Sequence, residues 1–369
     1  MTNNIEAFAN KVLSKALDVS TGQIFDKQEM GLISLNDYGP VIKTFSKPQS
    51  DWTTKVDEIE KAFADQYDQQ EYPDYKALTM MGLFEVRNML SAFGITSLRQ
   101  TDFQDNPLAD KKFLNVGCGT GREAIYLSAL GAQVTAFDAT EEYVRITADK
   151  IARTSLILNK PLKVELGVSL AEAFPYPANE YDGITSLFGV INHVEFWQKA
   201  IRNMGYALKP DGKLVIEKYG SNDALVYKAA AAGIITYEPS VFQTRESQGK
   251  GIFLGKEGKV LLPACFPDDT EFKKSLEDAD LDIESSVGFL RIAAIFPKIP
   301  TPQNIESFME TVRNFDEKAW IYINKFNSPI EKLFAAFEYD LFSQRQTVNK
   351  PDIEDFAYVL YKAKKKTST

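Results

Sequence analysis

Three closely spaced glycines and a downstream aspartate are the residues in this sequence most suited to binding a ligand. Gly117, Gly119 and Gly121 form a G-x-G-x-G turn within "FLNVGCGTG", and Asp138 ends the later segment "QVTAFD". Glycine lacks a Cβ atom, so such a turn lets the backbone approach a ligand closely. A carboxylate beside the turn can accept hydrogen bonds from both hydroxyls of a ribose. This spacing predicts a site for a nucleoside.

The form of the turn separates two classes of nucleotide ligand. A dinucleotide fingerprint has the pattern G-x-G-x-x-G, and Arg122 stands where its third glycine would be. The ligand is therefore predicted to be a nucleoside without a pyrophosphate. Cys118 lies between the first two glycines, where it could be a spacer or a nucleophile.

Alternating strands and helices must position these residues. From about Phe113 onward, short apolar segments such as "KFLNVG", "QVTAFD", "LKVELGV", "DGITSLF" and "KLVIEKY" are separated by segments with helical periodicity. This alternation predicts an α/β fold, with a doubly wound, mostly parallel sheet and helices on both faces. Ligands bind such sheets at the carboxyl ends of the strands, which is where Asp138 and the glycine turn are placed.

The sequence on either side of this core predicts a division into four parts. Residues 1–105 are expected to form a helical extension or cap, with an amphipathic docking helix at the start and "YGPVIKTFSKPQSDW" as an extended linker. Residues 106–300 form the core, and 301–350 form a helical insertion rich in aromatic residues. Residues 351–369 supply the final strand, "EDFAYVLYKAKK", and a basic tail.

Composition disfavours several classes of partner and compartment. The 51 acidic and 42 basic side chains give a net charge of -9, which works against binding to a nucleic acid. Two cysteines distant in sequence suit a reducing cytoplasm. The longest apolar runs are shorter than the roughly 20 residues that span a bilayer, so no membrane partner is expected.

Four segments together resemble the class I S-adenosylmethionine-dependent methyltransferases. They are "FLNVGCGTG", "VTAFDAT", "SLAEAFPYPANEYDGITSLFGVINHV" and "ALKPDGKLVIEK", within roughly residues 112–220. The resemblance implies a seven-stranded sheet in the order 3-2-1-4-5-7-6 with an antiparallel seventh strand, which "EDFAYVLYKAKK" would supply. It also implies S-adenosylmethionine (SAM) as methyl donor and S-adenosylhomocysteine (SAH) as product.

The resemblance carries a set of cofactor-binding residues onto this chain: Gly117, Cys118, Gly119, Gly121, Asp138, Ala139, Leu170, Ala171 and Leu187. Two positions depart from the family pattern. Asn115 replaces an acidic residue before the turn, where it can still orient the turn by hydrogen bonds. Leu170 or Ser169 replaces the acid that accepts from the adenine amino group, so adenine is expected to be held by apolar and backbone contacts.

Three residues are candidates for the methyl-transfer step. His193, the single histidine, lies in "FGVINHV" just after the predicted fourth strand and is a candidate general base. Its alternative role is helix capping or loop packing. Asn192 could position a polar substrate. Tyr67, in "FADQYDQQ", could cover the sulfonium by a cation–π contact or could be a core aromatic.

A magnesium site would need several acidic and amide ligands near the fourth strand. The segment "YDGITSLFGVIN" offers only Asp182 and Asn192, so we predict no metal. The hypothesis for function is methyl transfer to N or O of a small molecule, with residues 301–350 as a lid or, alternatively, a homodimer interface. Methylation of protein or RNA, and a non-catalytic SAM-binding regulatory subunit, stay open as alternatives.

Overall fold

The structure is a computed structural model, and it describes part of the chain. The described residues are 40–45, 47, 49–67, 85–96, 102–220, 250–255, 258–265, 267–289, 305–329, 331–332, 335–336, 339, 343–344 and 358–367. The predicted docking helix at the start of the chain lies outside them.

Ten strands and eight helices are defined in these residues. The strands are β1 (Ile42–Thr44), β2 (Lys112–Val116), β3 (Gln133–Asp138), β4 (Val164–Val168), β5 (Tyr181–Ser186), β6 (Leu208–Tyr219), β7 (Lys250–Gly255), β8 (Gly258–Pro263), β9 (Leu281–Phe289) and β10 (Tyr358–Lys365). The helices are α1 (Asp51–Tyr67), α2 (Asp102–Asp105), α3 (Arg122–Ala129), α4 (Glu141–Ile157), α5 (Trp197–Ala207), α6 (Asp269–Glu277), α7 (Ile305–Phe315) and α8 (Glu317–Ile323). Residues 85–92 are also helical.

Eight of the strands form one sheet, in the order β1-β4-β3-β2-β5-β6-β10-β9. From β4 to β9 this is the predicted seven-strand order, and β10 runs antiparallel to both of its neighbours. The predicted α/β class and topology are therefore confirmed. The predicted final strand is described from Tyr358 to Lys365, and the part of the prediction before Tyr358 lies outside the described residues.

The strand count was predicted one too low. β1 pairs in parallel with β4 at the edge of the sheet, Ile42 opposite Leu166. From the sequence, this stretch was predicted to be an extended linker. All three residues of β1 are exposed, so the strand carries no alternation of buried and exposed positions that would reveal it.

The sheet is covered on both faces, which explains the nearly continuous apolar strands. Phe113 belongs to the cluster formed with residues 85–92, α3 and α4. Its neighbour Leu114 belongs to the opposite cluster, formed with α5 and α6. Successive side chains of β2 therefore enter different cores, as the two-residue period of a strand requires.

Two insertions interrupt the sheet. Between β6 and β9 lies the antiparallel hairpin β7-β8, which contacts α1 and was not predicted. Between β9 and β10 lie α7 and α8, which share an apolar cluster of their own that includes Phe308, Val312 and Ile323. The Gln344 amide joins this insertion to β9 by accepting from Gly288 N at 2.8 Å and donating to Gly288 O at 2.7 Å.

A buried charge cluster lies beneath the glycine turn. Arg122, the first residue of α3, forms ion pairs with Glu85 and Glu123. Glu85 also interacts electrostatically with Glu217 of β6, and both of these carboxyls are fully buried. Burial raises the pKa of Glu85 to about 7, and burial together with repulsion from Glu85 raises the pKa of Glu217 well above its ordinary value. One guanidinium therefore faces three carboxyls, and the pair retains a proton near neutral pH.

This cluster makes stability depend on pH. The folded protein binds more protons here than the unfolded chain, so the free energy of unfolding should fall as pH rises from the ordinary value of 4.5 to about 7. Each excess proton contributes about 1.4 kcal/mol per pH unit. Glu217→Gln should make this decline shallower in urea unfolding measured at several pH values. Glu284→Gln, a half-exposed glutamate on β9, is the matched control, and an unchanged slope in Glu217→Gln would contradict the assignment.

Candidate functional site

The glycine turn has two close-packed glycines and one open one. Gly117, Gly119 and Gly121 have φ angles of 67°, 49° and 89°, in the left-handed region that favours glycine. A Cβ atom on Gly117 would collide with Val190, and one on Gly121 would lie 2.6 Å from Thr147. A Cβ on Gly119 would meet nothing within 4 Å. The middle glycine is therefore the place where a ligand can reach the backbone.

The Asp138 carboxylate ties this turn to the end of β3. Its Oδ2 accepts from Gly119 N at 2.9 Å and its Oδ1 accepts from Thr140 N at 2.9 Å. Each carboxylate oxygen has a second lone pair, so the group can still accept from ligand hydroxyls. The sequence prediction placed Asp138 beside the turn, and the structure brings them into direct contact.

Burial raises the pKa of Asp138 to about 6, although the hydrogen bonds from Thr140 and Gly119 favour the charged form. Glu60 raises this pKa further and Lys47 lowers it. The group is therefore ionised at neutral pH but close to the range in which it takes up a proton.

The loop after β4 lies beside Asp138, whose carbonyl accepts from Ser169 N at 2.9 Å. Leu170 and Ala171 in this loop are buried, and the hydroxyl of Tyr176 fixes the loop by donating to the carbonyl of Ala171 at 2.7 Å. Of the two further cofactor residues predicted here, Leu187 is buried and Ala139 is half-exposed. The loop thus offers apolar side chains and backbone groups next to the predicted ribose site.

Asn115 does not orient the turn as expected. It is fully buried, and its amide donates to Thr185 Oγ1 on β5 at 3.1 Å. Its Oδ1 has no hydrogen-bond partner among the described residues. The side chain links two central strands rather than the glycines.

His193 lies at the end of a short 3₁₀ turn, Val190–His193, after β5. Its Nε2 is 3.2 Å from the hydroxyl of Tyr219, the last residue of β6. Its carbonyl accepts from Trp52 Nε1 of α1 at 2.9 Å. The imidazole is therefore held at the carboxyl edge of the sheet, between two elements distant in sequence.

Asn192 has contacts that favour a structural role. It is fully buried; its amide donates to Cys265 O at 2.6 Å, and its Oδ1 accepts from Tyr219 N at 2.9 Å. These bonds tie the 3₁₀ turn to β6 and to the chain before α6. We therefore do not retain Asn192 as a substrate-positioning residue.

Residues 114–216 match the model of a family described as a methyltransferase domain. The chain therefore contains a segment similar to methyltransferase domains. It is 27% identical over 207 residues to the ubiquinone/menaquinone biosynthesis C-methyltransferase UbiE of Pseudoalteromonas translucida, covering 54% of this chain and 78% of that one. It is 31% identical over 141 residues to UbiE of Cronobacter sakazakii, covering 37% and 54%. These matches confirm the resemblance to class I SAM-dependent methyltransferases and the prediction of an enzyme.

A solved SAM-dependent methyltransferase from Methanosarcina mazei is also similar to this chain. It has 16% sequence identity and a TM-score of 0.45, and the match covers 73% of this chain and 99% of that one. The chain spans about half the length of the Cronobacter relative.

The side chains around the glycine turn fit the nucleoside part of SAM. Gly119 leaves open space at the turn, and Asp138 presents carboxylate lone pairs beside it. The Cys118 thiol between the glycines is buried, and burial together with the Asp138 charge raises its pKa well above the ordinary value. A thiol kept protonated is a poor nucleophile, which favours the spacer interpretation.

Helix α1 crosses the carboxyl edge of the sheet. Besides the Trp52 bond, Ser50 Oγ donates to Glu195 Oε2 at 2.7 Å just before α1 begins. On the helix itself, Glu60 accepts from the Tyr143 hydroxyl at 2.7 Å. Tyr67 is the last residue of α1, and its side chain lies outside the described part of the structure.

Sequence reasoning missed two residues of this site, Glu60 and Tyr219. A signal existed for Glu60, because it follows the buried residues Trp52 and Val56 at intervals of four on the inner face of α1. An acidic residue on the buried face of an amphipathic helix marks a candidate site. Tyr219 ends a strand at the ligand-binding edge, but nothing in the sequence pairs it with His193.

Within the described ranges, no group of three or more His, Cys, Asp or Glu residues could hold a metal ion. The same ranges contain no helix that is both long and apolar enough to cross a bilayer.

The open space at Gly119 can be tested with alanine. Gly119→Ala should cost about 1–2 kcal/mol in unfolding free energy because of its positive φ, and should also weaken SAH binding by about tenfold or more, because the new methyl group points into the ligand space. Gly94→Ala is a matched control, since Gly94 has a φ of 88° and equally open surroundings but lies after helix 85–92. Calorimetric titration with SAH would contradict the assignment if both variants bound equally well.

Proposed function

We propose that this methyltransferase transfers the methyl group of SAM to an N or O atom of a small-molecule acceptor. One observation carries the proposal: the Asp138 carboxylate accepts a hydrogen bond at 2.9 Å from Gly119 N, and Gly119 is the glycine of the turn that has open space around it. A buried acid and an exposed backbone turn suit a ribose and the chain attached to it.

When bound, SAM supplies a sulfonium whose methyl carbon is open to in-line attack. The residues of the chain bind SAM and orient it relative to the methyl acceptor. Asp138 accepts from the ribose hydroxyls, and Leu170 and Ala171 enclose the adenine by contact. Holding an acceptor atom in line can contribute about 7–11 kcal/mol through positioning alone, so the reaction needs few further catalytic groups.

An N or O acceptor that carries a proton must also lose it. His193 is the proposed base, because it lies at the carboxyl edge and is fixed there through both its ring and its carbonyl. An imidazole with a reference pKa near 6.5 can take up that proton at neutral pH.

A small molecule is favoured over a macromolecule by the elements over this edge. Helix α1 is fixed to the 3₁₀ turn by Trp52 and contacts α4 and the hairpin strand β8. The net charge of -9 disfavours an RNA acceptor. We assign the helical insertion of α7 and α8 to acceptor binding or to a dimer interface, the two roles that its separate apolar cluster suits.

Transfer to carbon is a second candidate. The relatives from Pseudoalteromonas and Cronobacter are named as C-methyltransferases. A carbon nucleophile would need the same in-line geometry and the same removal of a proton, so the residues assigned here serve either acceptor atom.

The first test is incubation of the protein with methyl-labelled SAM and cell extract, followed by separation of the label by molecular size. Label in the small-molecule fraction is expected, and its position in the product distinguishes N, O and C. Label in protein or RNA would overturn the small-molecule proposal. SAH binding in a thermal shift assay with no label in any fraction would favour a regulatory subunit.

Asp138→Ala should weaken SAH binding by about tenfold or more, because hydrogen bonds to a charged group contribute about 1.5–3 kcal/mol. In the unaltered protein, SAH affinity should fall as pH is lowered through about 6, where the Asp138 carboxyl becomes protonated. Asp182→Ala is the control: this aspartate is held by Lys111 and Lys209 near the start of β5. Equal SAH dissociation constants for the two variants would show that the ribose lies elsewhere.

A further inference from the structure

We propose that Tyr219 is a second catalytic residue of this site, which receives the proton of the methyl acceptor and relays its own proton to His193. This inference rests on the proposed methyl transfer and extends it by naming the group between acceptor and imidazole. The sequence alone indicates no partner for His193.

The Tyr219 side chain is positioned by several elements. Its hydroxyl is 3.2 Å from His193 Nε2, and the two rings meet edge to face with centroids 5.7 Å apart. Gly189, at a φ of 67°, leaves room for the tyrosine ring, which a Cβ at that position would strike. On the other side, the ring of Tyr358 packs against it at 5.2 Å. These contacts fix the phenol relative to the imidazole.

The charges around Tyr219 keep its hydroxyl protonated. Burial raises its pKa most, and three carboxyl groups raise it further: Glu60 of α1, Glu217 of β6 and Glu85 of residues 85–92. Because an imidazole nitrogen is a better acceptor than a phenol oxygen, the hydroxyl donates to Nε2. Neutral His193 then carries its own proton on Nδ1.

This arrangement defines a balanced proton transfer. An acceptor X–H gives its proton to Tyr219 Oη, while the phenol proton moves to His193 Nε2. The electron pair of X forms the bond to the methyl carbon, and the carbon–sulfur pair stays on sulfur. One sulfonium charge disappears and one imidazolium charge appears, and the imidazolium later releases its proton to solvent.

Because the sequence contains a single histidine, the His193–Tyr219 pair can be observed by NMR without a methyl acceptor. Protein without a histidine tag, labelled with ¹⁵N only in histidine, shows the two ring nitrogens of His193 and no others. We expect the Nδ1–H tautomer in the unaltered protein. Tyr219→Phe should move the spectrum toward the Nε2–H tautomer, whereas Tyr358→Phe, which removes a hydroxyl from the neighbouring ring, should leave it unchanged. Identical spectra for Tyr219→Phe and the unaltered protein would overturn the pairing.

Titration with SAH keeps this result separate from the proposed function. Tyr219→Phe should bind SAH with unchanged affinity, which also shows that the variant is folded. If the unaltered protein bound no SAH, the proposed function would fail while the tautomer measurement still reported on the pair.

The relay itself is tested by steady-state kinetics with the methyl acceptor that the experiment with methyl-labelled SAM identifies. Tyr219→Phe should lower kcat by about a hundredfold with little change in KM, since general acid–base catalysis contributes about 10²–10⁴. The double variant of Tyr219→Phe and His193→Ala should lose no more than the single histidine variant, because the two groups act as a unit. A kcat for Tyr219→Phe within about twofold of the value for the unaltered protein would overturn the relay, because general acid–base catalysis contributes far more than twofold.

Discussion

The Asp138 carboxylate is the constraint on which the rest of the site depends. A carboxyl group at the end of an internal strand loses much of its hydration, and this loss is the main reason that its pKa is raised. Two backbone N–H groups compensate, one from Gly119 and one from Thr140. Because Gly119 can donate only while the turn keeps its left-handed conformation, the acid and the glycines hold each other in place.

Beneath the glycine turn, buried charge is again compensated by neighbouring groups. Arg122 follows the turn directly, and its charge is balanced by Glu85 and Glu123, while Glu217 interacts electrostatically with Glu85. Removing one member of such a group leaves another charge buried without compensation, which is costly. The start of α3 is thus fixed from below by ion pairs and from above by the turn.

The sequence predicted what is local and missed what depends on tertiary contact. Strand, glycine turn, helix and acid-tipped strand follow one another along the chain, so their spacing alone predicted the turn and Asp138. The strand order came from the resemblance. β1 is short and fully exposed, so it carries no periodic signal. The sequence also does not show whether the Asn192 side chain faces a substrate or the protein interior. The environment of His193 depends on Trp52 and Tyr219, which lie 141 and 26 residues away.

Residues 114–216, which match the family model, do not form a complete sheet without the segments on either side. Alone, it would leave Arg122 without Glu85, β4 without β1 and β6 without β10. The flanking segments that complete the sheet and neutralise the arginine also carry Trp52, Glu60 and the helical insertion. The segments proposed to select the acceptor are therefore also segments that the fold requires, so a change in acceptor preference would be constrained by its effect on stability.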